Sequence, residues 1–318
     1  MDGTTDLDPE VAAAFALSPM ASIDIGALSF ADLPALREGM DSMPRPPLPS
    51  TTTVSEERVV PGLHGASDAA VRVYRPANVA APAPVVLWIH GGGYLFGSGL
   101  TEDARLNGWA EALGCVVVSV EYRLAPEHPY PAPLEDCYAA LRWTSDQADE
   151  LGIDPDHLVI VGQSAGGGLA AGLALLARDR AEVAVSAQLL IYPMIDDRNT
   201  TPSSRLNAVV WSPAANVLGW RAYLGSHYGE TDVPIYAAPS RASDLKGLPP
   251  TFIGVGTLDV FRDEDIAYAL ALLAAGVETE LHVYPGAPHG FEMITPDAAV
   301  ARRFRHDIDD ALARALRR

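Results

Sequence analysis

A pentapeptide in the middle of the chain, Gly162-Gln163-Ser164-Ala165-Gly166, constrains the fold more than any other segment. It follows an apolar run at residues 157–161, typical of a buried strand, and precedes a helix-like stretch at residues 165–180. In G-x-S-x-G the glycines let a strand turn sharply into a helix without a side-chain collision. We therefore predict a turn that holds Ser164 as a candidate nucleophile. A glycine-rich turn without a chemical role is the alternative.

Short apolar runs alternate with longer helix-like stretches along most of the chain. This order predicts an α/β fold with an open, mostly parallel sheet covered by helices on both faces. The predicted strands are residues 70–74, 85–89, 116–121, 158–162, 188–192, 251–255 and 280–284. The predicted helices are residues 103–113, 134–149, 165–180, 263–275 and 296–316, with Gly276 as a stop and Pro296 as a start.

Two segments fall outside this alternation. Residues 1–50 contain short helical patterns near residues 9–17 and 30–40, the second with a possible capping box at Ser29, followed by a proline-rich linker at residues 44–49. Residues 196–236 are rich in aromatic side chains and longer than a simple connection requires. We expect one domain over residues 1–318, in which both segments form a cap over the strand ends. Packing against the flank is the alternative.

Charge and composition narrow the classes of partner. The 22 basic and 41 acidic residues give a net charge of −19, which disfavours binding to nucleic acid or anionic membranes. No apolar run approaches the ~18 residues of a membrane span, and the acidic N-terminus lacks a signal-peptide pattern. We therefore expect a cytoplasmic protein. Cys115 and Cys137 are expected to be core residues, so neither a disulfide nor a metal site is predicted.

A serine nucleophile requires a base and a group that orients the base. In α/β hydrolases the acid and then the histidine follow the serine along the chain. His289 is the histidine after Ser164 that follows a predicted strand end, and Asp259 is the first carboxylate after the preceding strand. We predict that these two side chains complete a triad. A solvated loop histidine and a helix-capping aspartate are the respective alternatives.

His90-Gly91-Gly92-Gly93 follows directly after the predicted strand at residues 85–89. Glycines without Cβ atoms allow backbone N–H groups to approach a substrate oxygen, as in the HGGG motif of lipases and esterases. The segment does not fit a phosphate loop, because no Lys-Ser/Thr pair follows and residue 96 is Phe96 where G-x-G-x-x-G requires glycine. The amide of Ala165, next to the serine, is expected to be a further donor.

The chain resembles the hormone-sensitive-lipase-like family of α/β-hydrolase carboxylesterases, bacterial family IV, over roughly residues 55–318. The motifs that carry the resemblance are His90–Gly93, Tyr122–Glu127, Gly162–Gly167, Asp259 with Arg262-Asp263-Glu264, and His289-Gly290-Phe291. The resemblance implies a helical cap over an eight-stranded sheet and a Ser164–His289–Asp259 triad. It also implies an oxyanion hole from the amides of Gly92, Gly93 and Ala165, with His90 and Gly91 supporting the glycine loop.

The resemblance further implies hydrolysis of small, short-acyl esters without a metal or organic cofactor, and it is compatible with a homodimer. Tyr94, Gln163, Val210 and Trp211 are the predicted pocket residues. Gln163 stands where the family usually has Asp or Glu, which removes a charge beside the serine but no proton-transfer group. The same motifs serve hydrolases of amides, lactones or carbamates. A ligand-binding protein that has lost catalysis is disfavoured, because every predicted triad position is filled.

Overall fold

A computed structural model describes residues 6–18, 23–42, 48 and 52–317. Apart from Leu48, the predicted linker at residues 44–49 lies outside these residues. The described chain contains one eight-stranded sheet with the strand order β1-β2-β4-β3-β5-β6-β7-β8. The strands are β1 Val54–Val60, β2 Ala69–Arg75, β3 Ala83–Ile89, β4 Val116–Glu121, β5 Ile153–Gln163, β6 Ala187–Ile191, β7 Thr251–Gly256 and β8 Thr279–Tyr284.

The sheet is parallel except at one edge. Strand β2 pairs antiparallel with both β1 and β4, while every other pairing is parallel. All seven predicted strands are present, and the prediction of a mostly parallel α/β sheet is confirmed. Strand β1 was not predicted, because it lies at the sheet edge and its sequence, VSEERVV, is mostly exposed and has no continuous apolar run.

Ten α-helices occur in the described parts of the chain. They are α1 Pro9–Phe15, α2 Leu33–Asp41, α3 Asp103–Leu113, α4 Ala132–Asp146, α5 Ala148–Leu151, α6 Ala165–Arg180, α7 Pro213–Leu224, α8 Arg262–Ala274, α9 Phe291–Ile294 and α10 Ala299–Ala315. The predicted helix at residues 134–149 is divided at Gln147. The prediction that Pro296 starts a helix is wrong, because Pro296 lies in the turn between α9 and α10.

Helices cover both faces of the sheet, as predicted. Successive residues of the central strand β3 point to opposite faces: Leu87 belongs to one buried cluster and Trp88 to the other. The first cluster includes residues of α4, α6, α7 and α8, and the second includes residues of α3 and α10. This double covering explains why the strands are continuous runs of Val, Ile and Leu.

Hydrogen bonds tie both N-terminal helices to the rest of the molecule. Near α1, the Asp8 amide donates to the Gly286 carbonyl at 2.9 Å. In α2, Arg37 donates to the carbonyls of Leu95 at 2.7 Å and Ala125 at 2.8 Å, and it forms an ion pair with Glu127. The predicted capping box between Ser29 and Asp32 is present at the start of the second helical segment.

The 196–236 segment has two structural roles. Helix α7 begins at Pro213 after the N-cap Ser212, and it packs against the turn Ile25–Ala27 from the N-terminal segment. Its Trp220 is fully buried against Tyr94 of the core, so this part packs against the body of the protein. The residues before α7, which include Val210 and Trp211, reach the carboxyl edge of the sheet beside Ser164.

The register of the parallel strands aligns the loops that follow them. Ile89 at the end of β3 is paired with Gly162 of β5, and Gly256 at the end of β7 is paired with Tyr284 of β8. The four loops that carry the predicted motifs therefore leave the sheet at the same edge, where open α/β sheets bind ligands.

Candidate active site

Ser164 occupies a strained turn between β5 and α6. Its backbone has φ +57° and ψ −120°, a conformation that non-glycine residues rarely adopt. The turn is fixed by its own amide, which donates to the Ile191 carbonyl at 2.8 Å. A Cβ on Gly162 would lie 2.1 Å from the Gly166 carbonyl oxygen, and a Cβ on Gly166 would lie 2.2 Å from the Ile89 carbonyl oxygen. Both glycines are therefore required by close backbone packing.

Ser164, His289 and Asp259 form a continuous hydrogen-bonded line. The Ser164 Oγ lies 2.9 Å from the His289 Nε2, and the His289 Nδ1 lies 2.7 Å from the Asp259 Oδ2. The other carboxylate oxygen of Asp259 accepts the Phe261 amide at 3.0 Å, and Asp259 is fully buried. The imidazole is thus held between a hydroxyl and a carboxylate, which is the arrangement that activates a serine.

The neighbouring acids have other partners. Asp263 accepts the Ser203 amide at 2.8 Å and pairs with Arg262. Glu264 is buried and accepts the amides of Ile195 and Asp196. Burial raises the pKa of Glu264 well above its usual range. Both acids stabilise the loop after β6 through these hydrogen bonds, and neither of them hydrogen-bonds to His289.

The other histidines after the serine lie away from it. His227 lies 3.1 Å from a carboxylate oxygen of Glu230, His282 lies 2.8 Å from one of Glu280, and His306 is exposed on α10. Of the four histidines after Ser164, all of which lie in the described part of the chain, the structure therefore brings only His289 to the nucleophilic turn.

The glycine loop after β3 lies against the serine turn. A Cβ on Gly91 would lie 3.2 Å from the Ser164 Cβ, so the two loops are in close contact. Gly92 has φ +120° and Gly93 has φ +60°. A Cβ on Gly92 would lie 1.9 Å from the Phe96 carbonyl oxygen, and a Cβ on Gly93 would lie 2.1 Å from the Trp211 ring. Only glycine can occupy either position.

His90 is buried beside the glycine loop. Its ring stacks on Tyr122 at 4.1 Å, and its Nδ1 lies 2.7 Å from the Gly91 carbonyl oxygen. The Tyr122 hydroxyl donates to the His90 carbonyl at 2.9 Å. Burial lowers the pKa of His90 to about 4, so the ring is neutral near pH 7. These contacts support a role in holding the glycine loop.

A cavity of about 370 Å³ opens beside Ser164. Both the N-terminal segment and the 196–236 segment contribute to its wall, through Ile25 and Met40 from the first and Val210 and Trp211 from the second. Gly92, Gly93, Gln163 and His289 also line it. The Trp211 indole is fixed, because its Nε1 donates to the Asn216 side chain at 3.3 Å.

Tyr94, a predicted pocket residue, does not line this cavity. It is fully buried, donates its hydroxyl to the Met194 carbonyl at 3.0 Å and stacks on Tyr223 at 3.9 Å. The prediction of a pocket role is wrong, because the backbone turn at Gly93 directs the Tyr94 side chain into the core beneath α7.

Gln163 is part of a buried polar network. Its Nε2 donates to the Tyr192 hydroxyl at 2.5 Å, and this hydroxyl donates to a carboxylate oxygen of Glu292 at 2.5 Å. The Tyr192 ring contacts the His289 ring edge-on, with centroids 4.6 Å apart. Sequence reasoning did not identify Tyr192, although its place at the end of a parallel strand was an available signal. It also did not identify Glu102 and Met293, which line the cavity.

The described parts of the chain contain no group of three or more His, Cys, Asp or Glu side chains arranged to hold a metal ion. None of the helices there has the length and apolar character needed to cross a bilayer.

A serine, an imidazole and a carboxylate in line at the carboxyl edge of such a sheet are the arrangement of an α/β-hydrolase. Comparisons with known proteins agree. A family model for the alpha/beta hydrolase fold matches residues 86–293. Carboxylesterase NlhH of Mycobacterium tuberculosis (strain ATCC 25618 / H37Rv) is 42% identical over 255 residues, which cover 77% of this chain and 79% of NlhH. Esterase LipI of the same strain is 39% identical over 264 residues, covering 81% and 80%.

Among solved structures, that of a bacterial heroin esterase superposes with a TM-score of 0.90 at 44% identity and covers 99% of both chains. The chain therefore belongs to the α/β-hydrolase family, in its hormone-sensitive-lipase-like group. It is a carboxylesterase of the serine hydrolase class.

Proposed function

We propose that this carboxylesterase cleaves small, short-acyl esters through an acyl-enzyme on Ser164. The observation that carries the proposal is the hydrogen-bonded line from Ser164 through His289 to Asp259, which opens on the cavity. A serine hydroxyl becomes a nucleophile when an oriented base removes its proton, and this line supplies both the base and the orienting group.

In the first half-reaction, His289 takes the Ser164 proton as Oγ attacks the ester carbonyl carbon. The carbonyl oxygen becomes an oxyanion, which accepts hydrogen bonds from the amides of Gly92, Gly93 and Ala165. The carbon–oxygen bond to the alcohol then breaks, and the alcohol leaves with the proton from His289. The acyl group remains on Ser164.

In the second half-reaction, His289 takes a proton from water, which attacks the acyl-enzyme carbonyl. Ser164 leaves as the acid product forms and regains its proton from His289. Asp259 keeps the imidazole in the tautomer that presents Nε2 to the serine, and it stabilises the imidazolium that forms in each half. Protons and electron pairs balance within these residues, the ester and one water.

The preference for small acyl groups rests on the cavity wall. Trp211 packs so closely on Gly93 that its ring would lie 2.1 Å from a Cβ there. A fixed indole beside the glycine loop leaves limited room for a long acyl chain. We propose that the segments at about 1–50 and 196–236 act as a cap on the single domain, because both contribute to this wall. A cytoplasmic location stays a prediction from the sequence, and a homodimer stays an expectation from the family resemblance.

The test is Ser164→Ala assayed with a panel of p-nitrophenyl esters. The hydroxyl lies in a cavity, so its removal should leave the fold and thermal stability intact. We expect kcat to fall by several orders of magnitude. Retention of more than a tenth of the wild-type rate would rule out Ser164 as the nucleophile. Parallel assays with anilides and lactones of matched acyl groups separate an esterase from an amidase or lactonase with the same triad.

A further inference from the structure

The cavity beside Ser164 has an acidic wall that the ester chemistry does not use. Glu102, at the start of α3, lines the cavity with its side chain 12% exposed. Behind this wall lies Glu292, which is 3% exposed. One of its carboxylate oxygens accepts from Tyr192, while the other is buried without a hydrogen-bond partner.

The positive charge near these carboxylates does not balance them. Arg105 pairs with Glu102 over a long distance, 3.8 Å, and its guanidinium stacks on the Trp109 ring at 4.5 Å. The same guanidinium makes the largest charge interaction with Glu292, with a smaller one from His289, so one arginine serves two carboxylates. When both carboxyl groups are ionised, the wall therefore carries more negative than positive charge in a confined space, where charges interact strongly.

The other groups that line the cavity favour a cation as well. The described basic side chains there are His90, which burial keeps neutral, and His289, the proposed base. Phe96, Tyr192 and Trp211 contribute aromatic rings to the same cavity. Faces of aromatic rings attract ammonium groups, and ligand sites for quaternary ammonium use this combination.

We propose that the cavity takes esters that carry an ammonium group, with Glu102 as the counter-ion. This inference rests on the proposed hydrolysis at Ser164 and names the substrate class for that site. A bound ammonium would supply the charge that the wall lacks, and it would contact aromatic rings in place of bulk water. The net charge of −19 would also draw cationic substrates toward the protein.

The preference for a cation should depend on pH through Glu102. Burial raises the pKa of Glu102 to about 7, Arg105 opposes this shift, and Glu292 adds to it. Below pH 7 the carboxyl is increasingly protonated and loses its attraction for a cation. The preference for a cationic ester over a neutral one should therefore fall as pH drops from 8 to 6. The titration of His289 affects both esters equally and cancels in their ratio.

The experiment compares acetylcholine with 3,3-dimethylbutyl acetate, a neutral ester of the same shape, by pH-stat measurement of acid release. We expect kcat/KM at pH 8 to favour acetylcholine by about tenfold or more, which corresponds to ~1.4 kcal/mol. In Glu102→Gln the ratio of the two kcat/KM values, in which the neutral ester corrects for any general change in activity, should fall to near one and become independent of pH. Glu111→Gln, an exposed change of the same charge on the same helix, should leave the ratio unchanged.

Two outcomes would overturn the proposal. The first is a wild-type ratio at or below one. The second is a wild-type preference for acetylcholine that survives in Glu102→Gln, since the counter-ion would then lie elsewhere. Both differ from failure of the proposed function, in which neither ester would be cleaved and Ser164→Ala would behave as wild type.

Discussion

The Nδ1 atom of His289 lies 2.7 Å from one carboxylate oxygen of Asp259, whose other oxygen accepts the Phe261 amide. Both oxygens of this fully buried carboxylate are therefore oriented by fixed donors. Asp263, four residues further along the chain, instead accepts from Ser203 and pairs with Arg262. The two aspartates provide a matched pair for mutation.

Asp259→Asn should lower kcat by on the order of 10³–10⁴-fold, because an amide in place of the carboxylate favours the wrong imidazole tautomer. Asp263→Asn should change kcat by less than about tenfold, since its partners lie outside the triad. Steady-state kinetics with p-nitrophenyl acetate measures both variants. Equal losses would show that the acidic residues after β7 act as a unit.

The network of Gln163, Tyr192 and Glu292 predicts the effect of restoring an acid before the serine. In the wild type, Oε1 of the buried Glu292 lies 3.4 Å from the Gln163 Nε2. Gln163→Glu would place a second carboxylate there. We expect a loss of about 1–3 kcal/mol in unfolding free energy, because a donor is replaced by a like charge. Adding Glu292→Gln should recover most of this loss in chemical denaturation. No recovery in the double variant would show that the two side chains are not coupled.

Trp211 is predicted to limit the acyl chain. Trp211→Ala should shift the kcat/KM optimum toward longer acyl chains, since each methylene buried in the vacated space contributes ~0.8 kcal/mol. The measurement is kcat/KM for acetate through decanoate esters. Because Trp211 is buried and its loss could cost ~3–5 kcal/mol of stability, Trp211→Phe provides a milder enlargement. An unchanged optimum in both folded variants would assign this ring to packing alone.

The buried carboxyl group of Asp265 predicts that the free energy of unfolding depends on pH in an unusual way. Its two carboxylate oxygens are buried without hydrogen-bond partners, and burial raises its pKa well above the usual range, with Glu264 adding to the shift. Between the pKa of the unfolded state, ~4, and the raised pKa of the folded state, the folded protein keeps a proton on Asp265 that the unfolded chain has released. The stability that this group contributes is therefore lost progressively as pH rises above ~4.

Asp265→Asn removes that titration. We expect the variant to be more stable than wild type at pH 8 and to show little gain near pH 4. Asp232→Asn, an exposed change of the same kind, should have little effect at either pH. Thermal unfolding at both pH values gives the comparison; a gain that did not grow with pH would contradict the linkage.

The sequence predicted the parts of this molecule that depend on local patterns. Continuous apolar runs identified seven strands, and motif order selected Asp259 and His289, which the structure brings to Ser164. The exposed edge strand β1 has no such run, and the turn before α10 could not be separated from a helix start at Pro296 by composition.

The acidic wall and the polar network depend on tertiary contacts. Gln163 and Glu292 are 129 residues apart in the chain, and no spacing rule connects them. Tyr94 was wrongly predicted to line the pocket. It lies directly after the glycine loop, but the backbone turns its side chain into the core. Side-chain direction after a positive-φ glycine is set by the three-dimensional packing and is not encoded in the motif.

The central claim is that Ser164 carries the acyl group, and intact-protein mass spectrometry tests it most directly. Wild type and Ser164→Ala are treated with a fluorophosphonate probe or quenched during turnover of a slow ester, and the modified peptide is then sequenced. We expect one adduct per chain, located on Ser164 and missing from Ser164→Ala, with less adduct in Asp259→Asn because the histidine is less well oriented. An adduct on another residue, or equal labelling of Ser164→Ala, would contradict the proposed acyl-enzyme.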